Sequence, residues 1–361
     1  MKKVTVLLLV LVMLVGIFSG CQKSADAPQE PAEAPAETPA EAPAETPADE
    51  PEAPPEEEPG KELTFGYIAW NMKDEWNTFG ELAFKWAAEK KGVKVISEDG
   101  KNSPEEQVKI AEGFINSGVD AISLFPCTPE VGATIVRMCN EADIPIAIEN
   151  IFLPDDGSSG DFVGQVACQY NDIGYAAIEY IAEKFPGAKV FFCAGSVGMG
   201  VYESYKIGVD EALEDFADKV TLVETLHGDW ETEKSMQVTQ DFIATGKEFD
   251  VIFANNDLQA RGCHNALKEA GMEDIPVIST GGAPVGLDMI REGSAYANMT
   301  APVNIQGLIA FRFLWEYVNG VPIAETSIPL PIIPVDSSNI DTAISWDNNE
   351  GALEHIGGIE P

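Results

Sequence analysis

Glu248-Phe249-Asp250-Val251-Ile252-Phe253-Ala254-Asn255-Asn256-Asp257 contains the change of pattern that decides the fold of this 361-residue chain. Val251 to Ala254 is an unbroken apolar run, too short for a helix, with the composition of a strand buried on both faces. It stops at three polar residues, and residues 258–270 then take helical spacing up to Gly271. A buried strand feeding a helix belongs to an open parallel sheet, where ligands bind outside the carboxyl ends of the strands. Asn255, Asn256 and Asp257 therefore stand at the rim of a cleft. One of them is expected to cap the helix, which leaves another to face a ligand.

The same alternation extends in both directions. Strands are expected at 63–69, 93–96, 121–125 and 144–148, with helices at 76–91, 104–116 and 130–141 between them. Ser103-Pro104 opens the second of these helices as cap and first-turn proline, and Gly118 closes it. After a Gly/Asp/Ser-rich pause at 152–161 the pattern restarts, with strands at 189–193, 220–225, 251–254, 276–279 and 296–300. Two βα runs of similar length, each long enough for its own core, predict an α/β protein of two doubly wound parallel-sheet lobes with a cleft between them.

The N-terminal segment has a different character. Lys2 and Lys3 precede the apolar stretch Val4 to Phe18, and Ser19-Gly20-Cys21 follows. This is the layout of a secretory signal peptide, shorter than a comfortable membrane span. Phe18-Ser19-Gly20-Cys21 resembles the bacterial lipoprotein signal, which implies acylation of Cys21 and a lipid anchor, although Phe18 stands where that family usually has Leu. Residues 22–62 are almost wholly Pro, Ala, Glu and Thr, and the octet 31–38 repeats unchanged at 39–46. With nothing to bury, this segment is expected to be an extended, disordered tether.

The formal charge is −38, and the body from residue 63 onward keeps 47 acidic against 18 basic residues. Such a body is unsuited to nucleic acid, whose phosphates require clustered Lys and Arg. Beyond Cys21 the cysteines are Cys127, Cys139, Cys168, Cys193 and Cys263, odd in number and set mostly in apolar segments. They have the character of small buried hydrophobes rather than a disulfide framework, and no Cys/His spacing points to a metal.

Ile115-Asn116-Ser117-Gly118-Val119-Asp120-Ala121-Ile122, Ile144-Pro145-Ile146-Ala147-Ile148-Glu149, Phe253-Ala254-Asn255-Asn256-Asp257 and Ala266-Leu267-Lys268-Glu269-Ala270-Gly271 follow one another in a familiar order. In that order and spacing, from about residue 63 to 347, the body resembles the bacterial type I periplasmic sugar-binding proteins, the ribose- and galactose-binding components of ABC importers. The resemblance implies lobes joined by a three-segment hinge, the first lobe at 63–163 and 301–328 and the second at 164–300 and 329–350. It also implies a monomer that presents its closed form to an ABC permease, with a neutral sugar or polyol as ligand. A sensing lipoprotein that docks on a receptor kinase or chemoreceptor would use the same cleft.

In that family aromatic side chains from both lobes sandwich a sugar ring while polar groups pair its hydroxyls. Carried onto this chain, the resemblance points to Trp70, Asn71, Trp76, Glu149, Asn150, Trp230, Asn255, Asn256, Asp257 and Gly281. An indole covers an apolar ring face and keeps one hydrogen-bond donor. The chain departs from the family where Asn150 replaces a frequent Arg, Gly281 a common Asp, and no Arg stands near Tyr205. Loss of those guanidinium forks removes a planar clamp on vicinal hydroxyls and implies a ligand other than a common aldopentose or aldohexose. Lys206 and Arg261 are the remaining candidate cations, so a carboxylated ligand is disfavoured.

Gly195-Ser196-Val197-Gly198-Met199-Gly200 lies between a strand and a helix, but its glycines do not match the dinucleotide fingerprint. It is expected to be a flexible loop at the pocket edge, with Tyr202 and Tyr205 as contacts. His227, His264 and His355 are scattered, and no Ser-His-Asp order or nucleophile elbow is present. Neither a catalytic constellation nor a cofactor is expected.

Overall fold

The computed structural model describes residues 62–198 and 200–359. The signal, the Cys21 lipidation site and all but the last residue of the tether lie outside the described residues. The first lobe is built on β1 (Thr64–Ala69), β2 (Lys94–Asp99), β3 (Ala121–Leu124), β4 (Ile146–Asn150) and β5 (Gly164–Ala167), completed late in the chain by β11 (Ser327–Pro329). Its six strands run in the order β11-β5-β4-β3-β1-β2, all parallel. The second lobe holds β6 (Ala188–Ala194), β7 (Val220–His227), β8 (Val251–Ala254), β9 (Val277–Gly281), β10 (Ala297–Thr300) and β12 (Ile333–Asp336). There the order is β12-β10-β9-β8-β6-β7, with β12 the one antiparallel edge.

Each sheet is covered on both faces, as a parallel sheet must be. In the first lobe α1 (Glu75–Lys90) and α9 (Val303–Val318) take one face, while α2 (Pro104–Ser117) and α3 (Pro129–Glu141) take the other. In the second lobe α4 (Tyr170–Lys184) and α5 (Val201–Asp215) lie opposite α6 (Thr232–Ala244), α7 (Asp257–Glu269) and α8 (Pro284–Glu292). The helices start where the chain supplies caps. Ser103 Oγ accepts the Glu106 N–H with Pro104 behind it, and Gly118 closes α2 in the left-handed region at φ 70°. Thr128 and Asp74 cap α3 and α1 in the same way.

Three crossings join the lobes, at Cys168–Gln169, Ala301–Pro302 and the short link between β11 and β12. Two boundaries differ from expectation. The first sheet extends past residue 163, because Gly164–Ala167 pairs with β4 as a buried strand. Nor does the second-lobe segment run to 350. The tail returns to the first lobe, where α10 (Asn349–His355) packs on α9 and Lys90 Nζ donates to Glu350 at 2.8 Å. Arg312 also donates to the Ile356 carbonyl, at 3.1 Å. The four buried cysteines, Cys139, Cys168, Cys193 and Cys263, are free thiols, and Cys193 and Cys263 accept from Gln259 Nε2 at 3.8 Å and Thr239 Oγ1 at 3.3 Å. Among the described residues no helix is long and apolar enough to cross a membrane.

The α1–α9 contact depends on close backbone approach. A Cβ on Gly307 would lie 2.1 Å from the Gly80 carbonyl oxygen. Gly113, in contrast, has nothing within 4 Å of its Cβ position on α2. Gly307→Ala is expected to lower the unfolding free energy by about 2–3 kcal/mol through backbone displacement. Gly113→Ala is expected to raise it by roughly 0.5–1 kcal/mol through helix propensity. Urea denaturation of the two variants, followed by circular dichroism, checks the opposite signs.

Candidate functional site

The carboxyl ends of both sheets face one cavity of about 610 Å³. On the first-lobe side the chain leaves β1 through Trp70 and Asn71, whose backbone N–H groups both donate to Asn77 Oδ1, at 3.1 and 3.3 Å. Asn77 is fully buried on α1 and its own amide donates to the capping Asp74, so the turn is held from below. The Trp70 indole N–H donates to Asn102 Oδ1 at 2.7 Å, and its ring stacks on Phe125 with centroids 6.2 Å apart and planes 27° apart. Trp76, in the first turn of α1, donates to Asn150 Oδ1 at 3.0 Å. The same oxygen accepts from the Tyr170 hydroxyl of the second lobe at 2.8 Å. Asn150 ends β4 at φ 72°, a left-handed conformation that asparagine tolerates better than most residues.

On the second-lobe side, Asn255 follows β8 and is 1% exposed, with its Oδ1 accepting the Gly195 N–H at 2.9 Å. Its Nδ2 has no partner among the described residues. Asn256 caps α7, accepting the Gln259 N–H at 2.8 Å, which fulfils the expectation that one of the three polar residues would cap. Asp229 and Trp230 take positive φ values of 50° and 69°, and this turn brings the indole onto Gly195. A Cβ on Gly195 would lie 1.9 Å from Trp230 Cζ2, so only glycine fits beneath the ring. Tyr205 is buried on α5 and pairs with Thr280 Oγ1 at 2.9 Å. Thr280 spends its own hydrogen on the Asn255 carbonyl at 2.7 Å, so Tyr205 is the donor of that pair.

Of the expected residues, Trp70, Asn71, Trp76, Asn150, Tyr205, Trp230, Asn255, Asn256, Asp257 and Gly281 all line this cavity. Two do not. Glu149 is fully buried behind it and accepts from Ser123 Oγ at 2.5 Å, Gln306 Nε2 at 3.2 Å and Tyr67 OH at 3.3 Å. Its position at a strand end suited a hydroxyl acceptor, but alternation along β4 turns it to the α1–α9 side. Tyr202 is also displaced. The helix α5 begins at Val201, with the Glu203 carboxylate accepting the N–H groups of Gly198 and Gly200, and Tyr202 packs edge-on against His227 at 4.8 Å. Lys206 pairs with Asp210 along α5, away from the cavity.

Asp257 lines the cavity but is chemically occupied. Its Oδ1 accepts from Ser279 (2.9 Å) and Asn298, and its Oδ2 from the N–H groups of Gly282 (3.1 Å) and Ala283 (2.8 Å). Burial pushes its carboxyl up to about 7, against the pull of those four donors. Gly281, at φ 118°, leaves room for a residue absent from the sequence-based set. Trp346 lies over it, donates its indole N–H to the Gly281 carbonyl at 2.8 Å, and meets Trp76 edge-on with centroids 5.3 Å apart. Tyr170, Asn102 and Lys73 also reach the cavity without having been singled out. The lone tryptophan in Ser345-Trp346-Asp347, in the link before α10, was the available signal. The cavity thus offers flat apolar faces and amides from both lobes, an arrangement that holds a ring rather than transforming it.

A family model described as "Periplasmic binding protein domain" matches residues 65–322. The galactofuranose-binding protein YtfQ of Escherichia coli (strain K12) is 26% identical over 263 residues, covering 71% of this chain and 82% of that protein. The ribose import binding protein RbsB of Salmonella typhimurium is 27% identical over 213 residues, covering 59% of this chain and 70% of that protein. Among solved structures, an ABC transporter periplasmic solute binding protein from Actinobacillus succinogenes 130z with bound D-allose superposes with a TM-score of 0.71. It is 21% identical, and the alignment covers 78% of this chain and 99% of that one. A solute binding protein from Bacillus halodurans C-125 with bound myo-inositol gives 0.69 at 24% identity, covering 78% and 96%.

Glu149 makes a titration prediction. Burial raises its carboxyl from 4.5 to about 7, opposed by the hydrogen bonds from Ser123, Gln306 and Tyr67. The folded state therefore holds this proton more tightly than the unfolded state. The resulting stability is fully present below about pH 4.5 and is lost as pH rises through about 7. Asp257 acts in the same direction. Glu149→Gln is expected to flatten the pH dependence of unfolding free energy between about 4.5 and 7, by an amount on the order of 3 kcal/mol. Urea titrations across that range measure the change in slope.

Proposed function

The chain belongs to the periplasmic binding protein domain family, whose members are binding proteins rather than enzymes, and from that premise we propose that it is the extracytoplasmic solute-binding lipoprotein of an ABC importer. Its lobes close by hinge motion on a neutral sugar, polyol or similar small molecule, and a membrane permease reads the closed form. The observation that carries this reading is the convergence of strand ends from two separate sheets on one cavity of about 610 Å³, with Trp70 and Trp76 on one wall and Trp230 on the other. The relatives are described as galactofuranose-, ribose- and xylitol-binding proteins, which supports a ring or chain of polar carbon atoms as ligand.

Trp70, Trp76, Tyr205 and Trp230 supply the apolar faces in this reading, and Asn71, Asn150, Asn255 and Asn256 the polar contacts. Asp257 acts indirectly, by holding the 281–283 turn in place. Acylation of Cys21 anchors the chain, and the 22–62 segment carries the body as a monomer off the membrane. The signal-like apolar stretch and the cysteine that ends it support this part.

Isothermal titration of the ligand-stripped protein against a panel of sugars, polyols and nucleosides tests the binding function. Saturable binding of at least one compound is expected. Trp230→Ala is expected to weaken that binding by about 10- to 100-fold, with folding unchanged by circular dichroism, because it removes one apolar wall. No binding by any member of the panel would remove the solute-binding reading. Radiolabelled palmitate incorporation, abolished by Cys21→Ala, tests the anchor.

A further inference from the structure

Beyond the crossings at Cys168–Gln169, Ala301–Pro302 and β11–β12, the tail passes between the lobes once more. A 3₁₀ turn at Ile340–Thr342 follows β12, and Ile340 and Ala343 pack against the second-lobe core. From there the chain runs to α10, whose Ala352 is fully buried and which packs on α9 of the first lobe. The first-lobe anchor comes early in this passage. Asn304, fully buried in the opening turn of α9, donates its Nδ2 to the carbonyls of Ser345 and Asn348, at 3.1 Å each. Ala343 and Ile344 alone separate the second-lobe turn from that pin. Two residues at full extension span about 7 Å, so the passage is a short link rather than a slack tail. It also lies beside an existing pivot, because Asn304 closely follows the Ala301–Pro302 crossing.

Trp346 stands in this link and touches both lobes. Its indole N–H donates to the Gly281 carbonyl at 2.8 Å, and the Ala301 N–H donates to the same oxygen at 2.9 Å. Both lone pairs of one second-lobe carbonyl are thereby taken, one by the tail and one by the neighbouring crossing. On the first-lobe side the ring meets Trp76 and Phe79 of α1 edge-on, with centroids 5.3 and 5.8 Å apart. Trp346 is 6% exposed, so nearly all of its surface is spent on such contacts.

Each side that the indole touches is firmly held. Asp257 fixes the turn beyond Gly281 by accepting the Gly282 and Ala283 N–H groups, and Trp76 is tied to Asn150 through its own indole N–H. The ring therefore sets the distance between the 281–283 turn of one lobe and the first turn of α1 in the other. Trp76, Gly281 and Ala283 all line the cavity, so that distance is a dimension of the binding site.

We propose that residues 343–348 are a fourth link of the interlobe joint, and that Trp346 is a positioning residue for ligand binding which holds the two walls at their working separation. The resemblance to the sugar-binding proteins implied a joint of three segments, and this chain adds one. Weakening the link loosens the arrangement in which both lobes line the cavity, so a bound ligand escapes faster while its encounter with the protein changes little. The effect on affinity rests on the solute-binding reading, whereas the link itself rests on the geometry of the tail.

The test compares the full chain with three variants. Trp346→Phe keeps a ring at α1 and loses the bond to Gly281, and Asn304→Asp replaces the pinning donor with an acceptor facing two carbonyls. Trp315→Phe makes the same kind of change on α9 outside the cavity lining and serves as control. Hydrogen exchange read by mass spectrometry, without added ligand, tests the link. Peptides covering 281–283 and 301–305 are expected to exchange about 10-fold faster in the first two variants, with β8 and the control unchanged. Stopped-flow fluorescence then tests the positioning role, using whichever of D-ribose, D-allose, xylitol and myo-inositol binds the unaltered chain most tightly. Dissociation is expected to be about 10-fold faster in Trp346→Phe and Asn304→Asp, with association within about 2-fold. Unchanged exchange at both peptides in both variants would overturn the link. Faster exchange with unaltered dissociation, or a loss of affinity that lies wholly in association, would overturn the positioning role. If no compound of the panel binds the unaltered chain, the solute-binding reading and the positioning role fall together, and the exchange measurement still decides the link.

Discussion

Four hydrogen bonds onto one buried carboxylate hold the second lobe's half of the site. Asp257 begins α7, yet its side chain reaches sideways to Ser279 on β9, Asn298 on β10 and the turn at Gly282 and Ala283. Three separate chain segments are thereby fixed to the strand that precedes the helix. A Cβ on Gly286 would lie 2.0 Å from Asp257 Oδ1, so the start of α8 is seated directly on this carboxylate. Every donor in the cluster points at the acid and favours its ionised form, while burial opposes it more strongly and raises the carboxyl to about 7. The four hydrogen bonds offset part of that burial cost, and removing one donor would leave more of it uncompensated.

Beside the core cluster that runs through both lobes, a few groups at the cavity join them directly. Asn150 Oδ1 accepts from Trp76 of the first lobe and from Tyr170 of the second, so a single carbonyl oxygen bridges the hinge entrance. Trp346 does the same work from the tail, bonded to the Gly281 carbonyl and set edge-on to Trp76 and Phe79. With Ala283 and Val303 these residues form a small apolar cluster at the cavity floor.

Much of this was legible in the chain because parallel sheets leave strong traces. Val251 to Ala254 announced a doubly buried strand, the polar triplet 255–257 a cap within it, and Ser103-Pro104 the start of α2. What escaped notice lacked a periodic signature. β5 is Gly164-Gln165-Val166-Ala167, and its glutamine is buried because Leu153 and Ser327 satisfy its amide, a fact of tertiary context. β11 and β12 carry prolines and pair only at sheet edges. Glu149 and Asn150 are neighbours at one strand end, and sequence alone does not say which of two alternating side chains faces the cleft. Trp346 sits in a tail without any regular pattern, and its role depends entirely on the space above Gly281.

The departures from the family pattern belong together when the polar groups are followed atom by atom. Where related chains commonly have an aspartate, Gly281 is bare, and the backbone there takes φ 118° while the Trp346 indole lies over it. Where they have an arginine, Asn150 spends its oxygen on an indole and a phenol. At both positions an aromatic ring is held through its donor by a carbonyl oxygen. The tryptophans need those amide oxygens, because a buried indole N–H without an acceptor is costly. Adding aromatic surface therefore occupies amide oxygens in the same step, and the lining that results combines flat indole faces with the carboxylates of Asp74, Glu75 and Asp229.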